Sequence, residues 1–256
     1  ELKRAEYAHG LQGEVERNAF KLRGILNGID VKSYDPATDP ALFAPYSAEN
    51  PAGKAVCKAE LQKMLGLPVR EDVPVVAMIS RLVAHKGLDL VRAAIEELLA
   101  DDVQFVLLGT GDSEYESYFK DLANRYKGKA VSIIAFNGDL SRKIYSGADI
   151  FLMPSKSEPC GLSQMIASRY LTVPVVRETG GLYDSIKPYG ASGNGFTFAA
   201  YNAGDMLYVL REAVSLYKNK PEWQKLMIKA GTTDFSWQRS AEEYKKLYTD
   251  TLALLK

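Results

Sequence analysis

The chain has 256 residues, of which 46% are apolar and 25% are charged, a composition typical of an ordinary globular protein. Its 32 basic side chains balance its 32 acidic ones, which argues against a protein that coats nucleic acid or a membrane surface. Two cysteines are too few for a disulfide scaffold, and no apolar run approaches the roughly 18 residues of a membrane span. We therefore expect a cytoplasmic protein that binds neither nucleic acid nor membranes.

The beginning of the chain differs from the rest. Residues 1–20 are polar and favour a helix, but no predicted strand lies near them. Two interpretations stay open, a frayed terminal helix and the tail of an upstream domain. Because the chain starts at Glu1 without an initiator methionine, we expect a fragment of a longer protein. Residues 33–50, rich in proline, aspartate, alanine and tyrosine, predict a surface connection.

The centre of the chain alternates short apolar runs with stretches of helical periodicity. The predicted strands are 75–79, 103–108, 131–135, 149–153 and 173–176. The predicted helices are 87–99, 112–126, 140–148 and 162–170, with three more near 203–218, 221–230 and 240–255. Strands that are apolar on both faces and separated by helices are typical of a parallel sheet covered on both sides. The sequence therefore predicts an α/β fold with a doubly wound, Rossmann-like parallel sheet.

The loop after the first of these strands contains two basic residues, Arg81 and Lys86. Ligands of open parallel sheets bind beyond the carboxyl ends of the strands. Two cations in a loop just before a helix N-terminus favour the binding of an anion. A diphosphate fits this pair, because a guanidinium contacts two phosphate oxygens at once and an ammonium acts as a point charge. The alternative, two solvated loop cations, is equally compatible with this loop alone.

The loops after the next two strands contain glycines and an aromatic residue. Gly109 and Gly111 permit a close approach of the backbone to a ligand, although a tight turn explains them equally well. A nicotinamide fingerprint needs a third glycine where Glu114 stands, so we expect no dinucleotide cofactor. Phe136 is able to stack on a nucleobase, but taken alone it is better explained by core packing.

The segment 154–164 follows a buried strand and is the most informative in the chain. It predicts Glu158 at the mouth of the site, where a carboxylate accepts hydrogen bonds from sugar hydroxyls. A helix begins near Leu162, with Ser163 in its first turn, and presents backbone N–H groups to a phosphate.

Two further features of the loops bear on chemistry. Thr179, Gly180 and Gly181 suit a backbone cradle for a phosphate or a sugar hydroxyl, or form an ordinary turn. Cys160 is interpreted as a small packing residue rather than a nucleophile, because the chain's two histidines lie in no recognisable catalytic context. No cluster of histidine, cysteine and carboxylate has ligand spacing, so we expect no metal site.

Taken together and in this order, these segments resemble the carboxyl-terminal half of the bacterial glycogen synthase and plant starch synthase family. The run Glu-Pro-Cys-Gly-Leu-Ser-Gln at 158–164 is highly specific for that family, whereas the glycine loops alone are not. The matching segments are 26–30, 80–82, 86–87, 109–112, 146–149, 158–164, 179–182 and 234–237.

The resemblance implies one half of a GT-B glycosyltransferase, in which two Rossmann-like domains face each other across a cleft. It implies transfer of glucose from ADP-glucose to the non-reducing end of an α-1,4-glucan, with retained configuration and without a metal or other cofactor. By this likeness Arg81 and Lys86 hold the distal phosphate, Glu158 contacts the glucose ring and Phe136 flanks the adenine. The expected nucleotide-sugar-binding set is completed by Gly109, Gly111, Cys160, Gly161, Leu162, Ser163, Thr179, Gly180 and Gly181.

Two differences from known transferases bear on the expected activity. The family's amino-terminal domain, with a Lys-Thr-Gly-Gly-Leu loop and acceptor-side histidine and aspartate, is absent from these residues. Residues 1–26 are interpreted as the tail of that domain and its connection, and 27–256 as the donor-binding domain with a closing helix. Ile166 occupies the position where many related transferases have a second carboxylate, as is usual in this family.

Other functions stay open. One alternative is a nucleotide-sugar-binding module that is inactive without its acceptor domain. Another is part of a different GT-B transferase that uses UDP-glucose, or of a sugar-nucleotide epimerase. Binding of ADP, UDP and their glucose conjugates distinguishes these readings.

Overall fold

A computed structural model of the protein describes residue 5 and residues 7–254. Its centre is a sheet of six parallel strands in the order β3-β2-β1-β4-β5-β6. The strands are β1 (Val75–Ile79), β2 (Gln104–Leu108), β3 (Ala130–Ile133), β4 (Ile150–Met153), β5 (Val173–Arg177) and β6 (Phe196–Phe198). The sequence-based prediction of a Rossmann-like parallel sheet is confirmed.

Helices follow or precede the strands along the chain. They are α1 (Gln12–Arg17), α2 (Ala52–Met64), α3 (Leu88–Ala100), α4 (Ser113–Arg125), α5 (Gly138–Gly147), α6 (Ser163–Arg169), α7 (Gly180–Ser185), α8 (Ala203–Lys218), α9 (Lys220–Gly231) and α10 (Trp237–Ala253). Two short 3-10 turns cover Ala19–Lys21 and Ala84–Lys86. Within the described residues, no helix combines the length and the apolar character needed to cross a bilayer.

The sheet has a hydrophobic core on each face. Val76 and Met78 of β1 belong to the core beneath α3, α4 and α8, whereas Val75 and Ala77 belong to the core beneath α2, α5 and α6. This alternation follows from the two-residue period of a strand. Because both faces are covered, the strands are mostly apolar along their length and do not alternate between apolar and polar residues as one-sided strands do.

The direction of chain connection reverses between β1 and β4, which are neighbours in the sheet. The loops that follow these two strands therefore meet at the carboxyl edge, where doubly wound sheets bind ligands. The backbone N–H of Lys156 donates to the carbonyl oxygen of His85 over 2.9 Å. Gly87 has a φ of +77°, and a Cβ there would overlap the carbonyl oxygen of Pro154. The glycine thus lets the two loops pack in direct contact.

Several elements differ from the sequence-based predictions. Helix α2 and strand β6 were not predicted, and the connection 33–50 is not wholly on the surface. Tyr46 in this connection is 3% exposed, and its hydroxyl donates to the carbonyl oxygen of Tyr170 over 2.9 Å. The expectation of a surface connection is therefore wrong at this point, because the connection packs on the core that α2 also covers.

The two ends of the chain also depart from the predicted helices. Residues 1–4 and 6, where the prediction of a helix over 1–20 begins, lie outside the described part. Among the described residues of this range, the helical segments are α1 and the short turn after it. The last helix begins at Trp237, earlier than predicted, and is described as far as Ala253, whereas residue 255 of the predicted range lies outside the described part. Ser236 explains this start, since its side chain accepts a hydrogen bond from the Arg239 N–H and caps the helix.

Candidate functional site

The loops after β1 and β4 enclose a cleft of about 180 Å³, here called the central cleft. Arg81 and Lys86 line it from the β1 side, and Glu158 lines it from the β4 side. Gly161, Leu162 and Ser163 complete the wall at the beginning of α6. The structure thus brings Arg81, Lys86 and Glu158 together at the carboxyl ends of the parallel strands, where such sheets bind ligands.

Lys86 and Glu158 form an ion pair within the central cleft, with Nζ and Oε2 2.5 Å apart. Glu158 is only 8% exposed, and Ser155 Oγ lies 3.2 Å from the same oxygen. Arg81 is exposed and forms no ion pair with any described residue. The two cations and one carboxylate leave this part of the cleft with an excess of positive charge.

The pKa of His85 is affected by the same positive charges. Burial, together with the neighbouring cations of Lys86 and Arg81, lowers the pKa of His85 below its usual value. A depressed histidine pKa means that the neutral ring is favoured near pH 7. The positive charge of this loop is therefore supplied by Arg81 and Lys86.

Side-chain and backbone contacts fix the loop that carries Glu158. Gln164 is fully buried in α6, and its Nε2 donates to the carbonyl oxygens of Cys160 and Gly161 over 3.1 and 3.0 Å. The Gly181 N–H donates to the carbonyl oxygen of Glu158 over 2.9 Å. A Cβ on Gly181 would overlap the backbone of Cys160. The loop is therefore held between α6 and α7. The sequence did not indicate that Gln164 fixes this loop through hydrogen bonds to its backbone.

Cys160, Gly180 and Gly181 each have a structural position in this region. The Cys160 side chain is half-buried and packs against the core beneath α2, α5 and α6, in line with its interpretation as a packing residue. Gly180 is the first residue of α7, so the segment predicted as a loop cradle is the start of a short helix. Two adjacent glycines favour a turn, which explains why this helix was missed.

A second cleft, here called the flanking cleft, has a volume of about 360 Å³ and shares Arg81 and Ser163 with the central cleft. Phe136 lines it and is 97% exposed. The core-packing interpretation of Phe136 is therefore wrong. Tyr34 and Tyr145 line the same cleft and were not predicted as site residues.

The glycines after β2 serve the packing of the neighbouring loop. A Cβ on Gly109 would overlap the carbonyl oxygen of Ser80, and one on Gly111 would overlap that of Leu82. Gly109 also lines the flanking cleft, whereas Gly111 lines neither the central nor the flanking cleft. Contacts of these glycines with a ligand stay a prediction, as do the ligand roles of the other site residues.

Thr179 and Gly180 line a third, polar cleft of about 530 Å³, here called the outer cleft, together with Arg177 and Asp184. Arg177 Nη1 donates to the carbonyl oxygen of Lys156 over 2.9 Å and so links this cleft to the loop that carries Glu158. All three clefts therefore lie at the carboxyl edge of the sheet.

A known protein family matches the part of the chain that contains the central cleft. The family described as "Glycosyl transferases group 1" matches residues 63–234, which include both loops of the central cleft. The chain belongs to this family.

Individual relatives are also similar to this glycosyl transferase. It is 47% identical to the glycogen synthase of Geobacillus thermodenitrificans, covering 97% of this chain and 52% of the relative. It is 49% identical to that of Kosmotoga olearia, covering 98% of this chain and 54% of the relative. The chain thus spans about half the length of these relatives.

Solved structures show the same fold. The catalytic domain of starch synthase IV from Arabidopsis thaliana, described as bound to ADP and acarbose, is 38% identical with a TM-score of 0.92, covering 99% of this chain and 54% of that one. A sucrose-phosphate synthase from Thermosynechococcus elongatus is 19% identical with a TM-score of 0.65 and shares the fold.

Two other cavities of this glycosyl transferase lie away from the carboxyl-edge loops. A cavity of about 590 Å³ lies between the connection containing Asp35 and the segment 231–236. Another of about 490 Å³ lies beside α2 and α9, where Lys54 and Trp223 contribute to its wall. Among the described residues, no three histidine, cysteine or carboxylate side chains are placed to hold a metal ion.

Proposed function

We propose that the chain is the donor-binding half of a retaining glucosyltransferase of the glycogen and starch synthase type. The complete transferase moves glucose from ADP-glucose to the non-reducing end of an α-1,4-glucan, and residues 27–256 are its donor domain. The observation that carries this proposal is the convergence of Arg81, Lys86 and Glu158 on one cleft beside an exposed aromatic side chain. The relatives named glycogen synthase and the starch synthase described with ADP support the choice of reaction.

The diphosphate occupies the central cleft next to Arg81 and Lys86. Negative charge grows on the leaving diphosphate as the bond to the anomeric carbon breaks. Cations that are already in place stabilise this charge more in the transition state than in the ground state. Removal of one such donor typically lowers turnover by about 10²–10³. The two side chains supply the positive charge locally, so the proposed reaction needs no metal or other cofactor.

Glu158 binds the glucose ring and stabilises positive charge at the anomeric centre. Its position 2.5 Å from Lys86 Nζ means that a bound diphosphate and Glu158 share one ammonium. A carboxylate accepts hydrogen bonds from hydroxyls and carries the charge opposite to that of an oxocarbenium-like centre. Glu158 is thus assigned to positioning and electrostatic stabilisation.

The flanking cleft receives the nucleobase, with Phe136 beside the adenine. An aromatic side chain that is 97% exposed presents its face to a ligand at little cost in folding stability. Stacking tolerates every base, so the preference for adenine over uracil has to be measured. Calorimetric titration of the chain with ADP, UDP and ADP-glucose makes this measurement. Tighter binding of ADP supports the synthase proposal, and tighter binding of UDP supports a UDP-glucose transferase.

A second candidate is a nucleotide-sugar-binding module without turnover. It is favoured by the fact that the chain spans about half the length of its relatives, since acceptor contacts and exclusion of water from the cleft then depend on further protein. An assay of the chain with ADP-glucose and a glucan primer separates the two. We expect binding of the donor with little or no transfer by the chain alone. Full transfer by the chain contradicts the binding-module reading.

A further inference from the structure

Tyr34 lies in the connection 33–50 yet lines the flanking cleft together with Phe136. The two aromatic residues reach this cleft from different parts of the chain, because Phe136 follows β3 whereas Tyr34 precedes α2. Tyr34 occupies no strand end, so the rule that places ligand residues after parallel strands does not find it.

The Tyr34 ring is held by its neighbours. The guanidinium carbon of Arg142 lies 5.1 Å from the centre of the ring, a distance typical of a cation–π contact. Arg142 Nη1 also donates to the carbonyl oxygen of Ser33 over 2.7 Å. Arg169 Nε donates to the carbonyl oxygen of Tyr34 over 3.2 Å, and Tyr170 packs edge-on against the ring. The backbone and ring of Tyr34 are thus fixed by contacts with α5 and α6.

Arg142 is itself fixed by a buried carboxylate. The side chain of Asp39 is 1% exposed and accepts hydrogen bonds from Arg142 Nη1 over 3.0 Å and from the Tyr170 hydroxyl. Burial alone would raise the pKa of Asp39, but hydrogen bonds from Tyr170, the Ala41 N–H and Arg142 lower it below its usual value. Arg142 therefore cannot move away from Tyr34 without leaving a buried charge unpaired, which is costly.

We propose that Tyr34 recognises the nucleobase of the donor and that Arg142 is a positioning residue that holds the Tyr34 ring. The inference rests on the proposed function, since it assigns the flanking cleft to the base of a sugar nucleotide. A fixed aromatic ring loses little freedom when a ligand stacks on it. A purine offers a larger stacking face than a pyrimidine, so Tyr34 contributes to a preference for ADP over UDP.

The test compares two substitutions of Tyr34 by calorimetric titration of the chain with ADP and with UDP. Tyr34→Leu keeps an apolar side chain but removes the aromatic face, whereas Tyr34→Phe keeps the face. We expect Tyr34→Leu to weaken ADP binding by about tenfold, the loss of one stacking partner, and to reduce the ratio of ADP to UDP affinity. Tyr34→Phe keeps the original affinity. Tyr208→Ala is the matched control, because Tyr208 is 65% exposed on α8 and lines none of the three clefts.

The outcomes separate this inference from the function on which it rests. Unchanged ADP affinity in Tyr34→Leu overturns the inference, as does an equal loss in Tyr34→Leu and Tyr34→Phe, which indicates a structural role of the hydroxyl. Absence of both ADP and UDP binding in the unsubstituted chain overturns the proposed function itself.

The positioning role of Arg142 is tested by a double-mutant cycle with Tyr34. Arg142→Met weakens ADP binding when Tyr34 is present, and we expect this effect to vanish in the Tyr34→Leu background. If Arg142→Met acts only by disturbing the packing, it lowers the thermal unfolding midpoint by the same amount with Tyr34 and with Leu at position 34. Additive losses of ADP affinity overturn the assignment of Arg142 as acting through Tyr34.

Discussion

Lys86 Nζ and Glu158 Oε2 lie 2.5 Å apart and join the loop after β1 to the loop after β4. This contact places opposite charges at the point where the connection of the parallel sheet reverses. We expect a diphosphate that enters the central cleft to bind the same Lys86 ammonium that the Glu158 carboxylate contacts in the free chain. We therefore expect a substitution of Lys86 to change binding of the diphosphate and a substitution of Glu158 to change binding of the glucose.

Lys86→Ala tests the diphosphate side of this pair. We expect ADP affinity to fall about tenfold or more, because a charge-assisted contact with the phosphates is lost. Isothermal titration measures this change. Lys156→Ala is the control, since Lys156 is an exposed lysine in the loop of Glu158 and lines none of the three clefts. Equal ADP affinity in Lys86→Ala and the unsubstituted chain is incompatible with the assigned role.

Glu158→Gln tests the sugar side of the pair. The neutral amide no longer competes for Lys86, so ADP binding should be unchanged or stronger. Binding of ADP-glucose should weaken relative to ADP, because the amide accepts sugar hydroxyls less strongly than a carboxylate does. The quantity to measure is the ratio of the two dissociation constants. A loss of ADP and ADP-glucose affinity by the same factor contradicts a contact between Glu158 and the glucose.

Gly181→Ala tests the contact between α7 and the Glu158 loop. The added Cβ would overlap the backbone of Cys160, and we expect the free energy of unfolding to fall by about 1–3 kcal/mol. Chemical denaturation measures this loss. Gly13→Ala is the control, because a Cβ at that position meets no atom within 4 Å beyond its chain neighbours and the backbone of its own helix. Equal stability of both variants argues that the loop has room to move.

The pH dependence of stability tests the burial of Lys54. Burial lowers the pKa of Lys54 from 10.5 to about 7. The unfolded chain keeps the ordinary lysine pKa and thus binds more protons between about pH 7 and 10. The stability of the chain relative to Lys54→Met should therefore rise with pH across this interval. Urea denaturation at several pH values measures the difference, and a constant or falling difference contradicts the burial of an amine with a lowered pKa.

The predictable part of the fold has a physical explanation. Strands β1 to β5 consist mostly of apolar residues, so short apolar runs are sufficient to find them. Helix α2 was missed because two of its buried residues, Lys54 and Lys58, interrupt the apolar pattern. Lys54 Nζ donates to the carbonyl oxygens of Ser146 and Tyr170 and to Thr172 Oγ1, partners that only the folded chain brings together. Strand β6 spans three residues, too few for a periodic pattern.

The candidate site was predictable to the extent that it follows strand ends. Arg81, Lys86 and Glu158 each lie in a loop directly after a parallel strand, which is why the sequence predicts their convergence. Tyr34 lies before the first strand, and its distance along the chain from α5 hides its contact with Arg142. The resemblance to the synthase family, rather than the residue pattern, predicted the role of Phe136.

The central claim is that the carboxyl-edge loops bind the sugar nucleotide. The most direct measurement is an amide chemical-shift titration of the isotope-labelled chain with ADP-glucose. We predict that the largest shifts fall in residues 80–87, 136–141 and 158–164, with smaller ones at Thr179 and Gly180. Shifts confined to the cavity beside α2 and α9, or no shifts at millimolar ADP-glucose, would contradict the account.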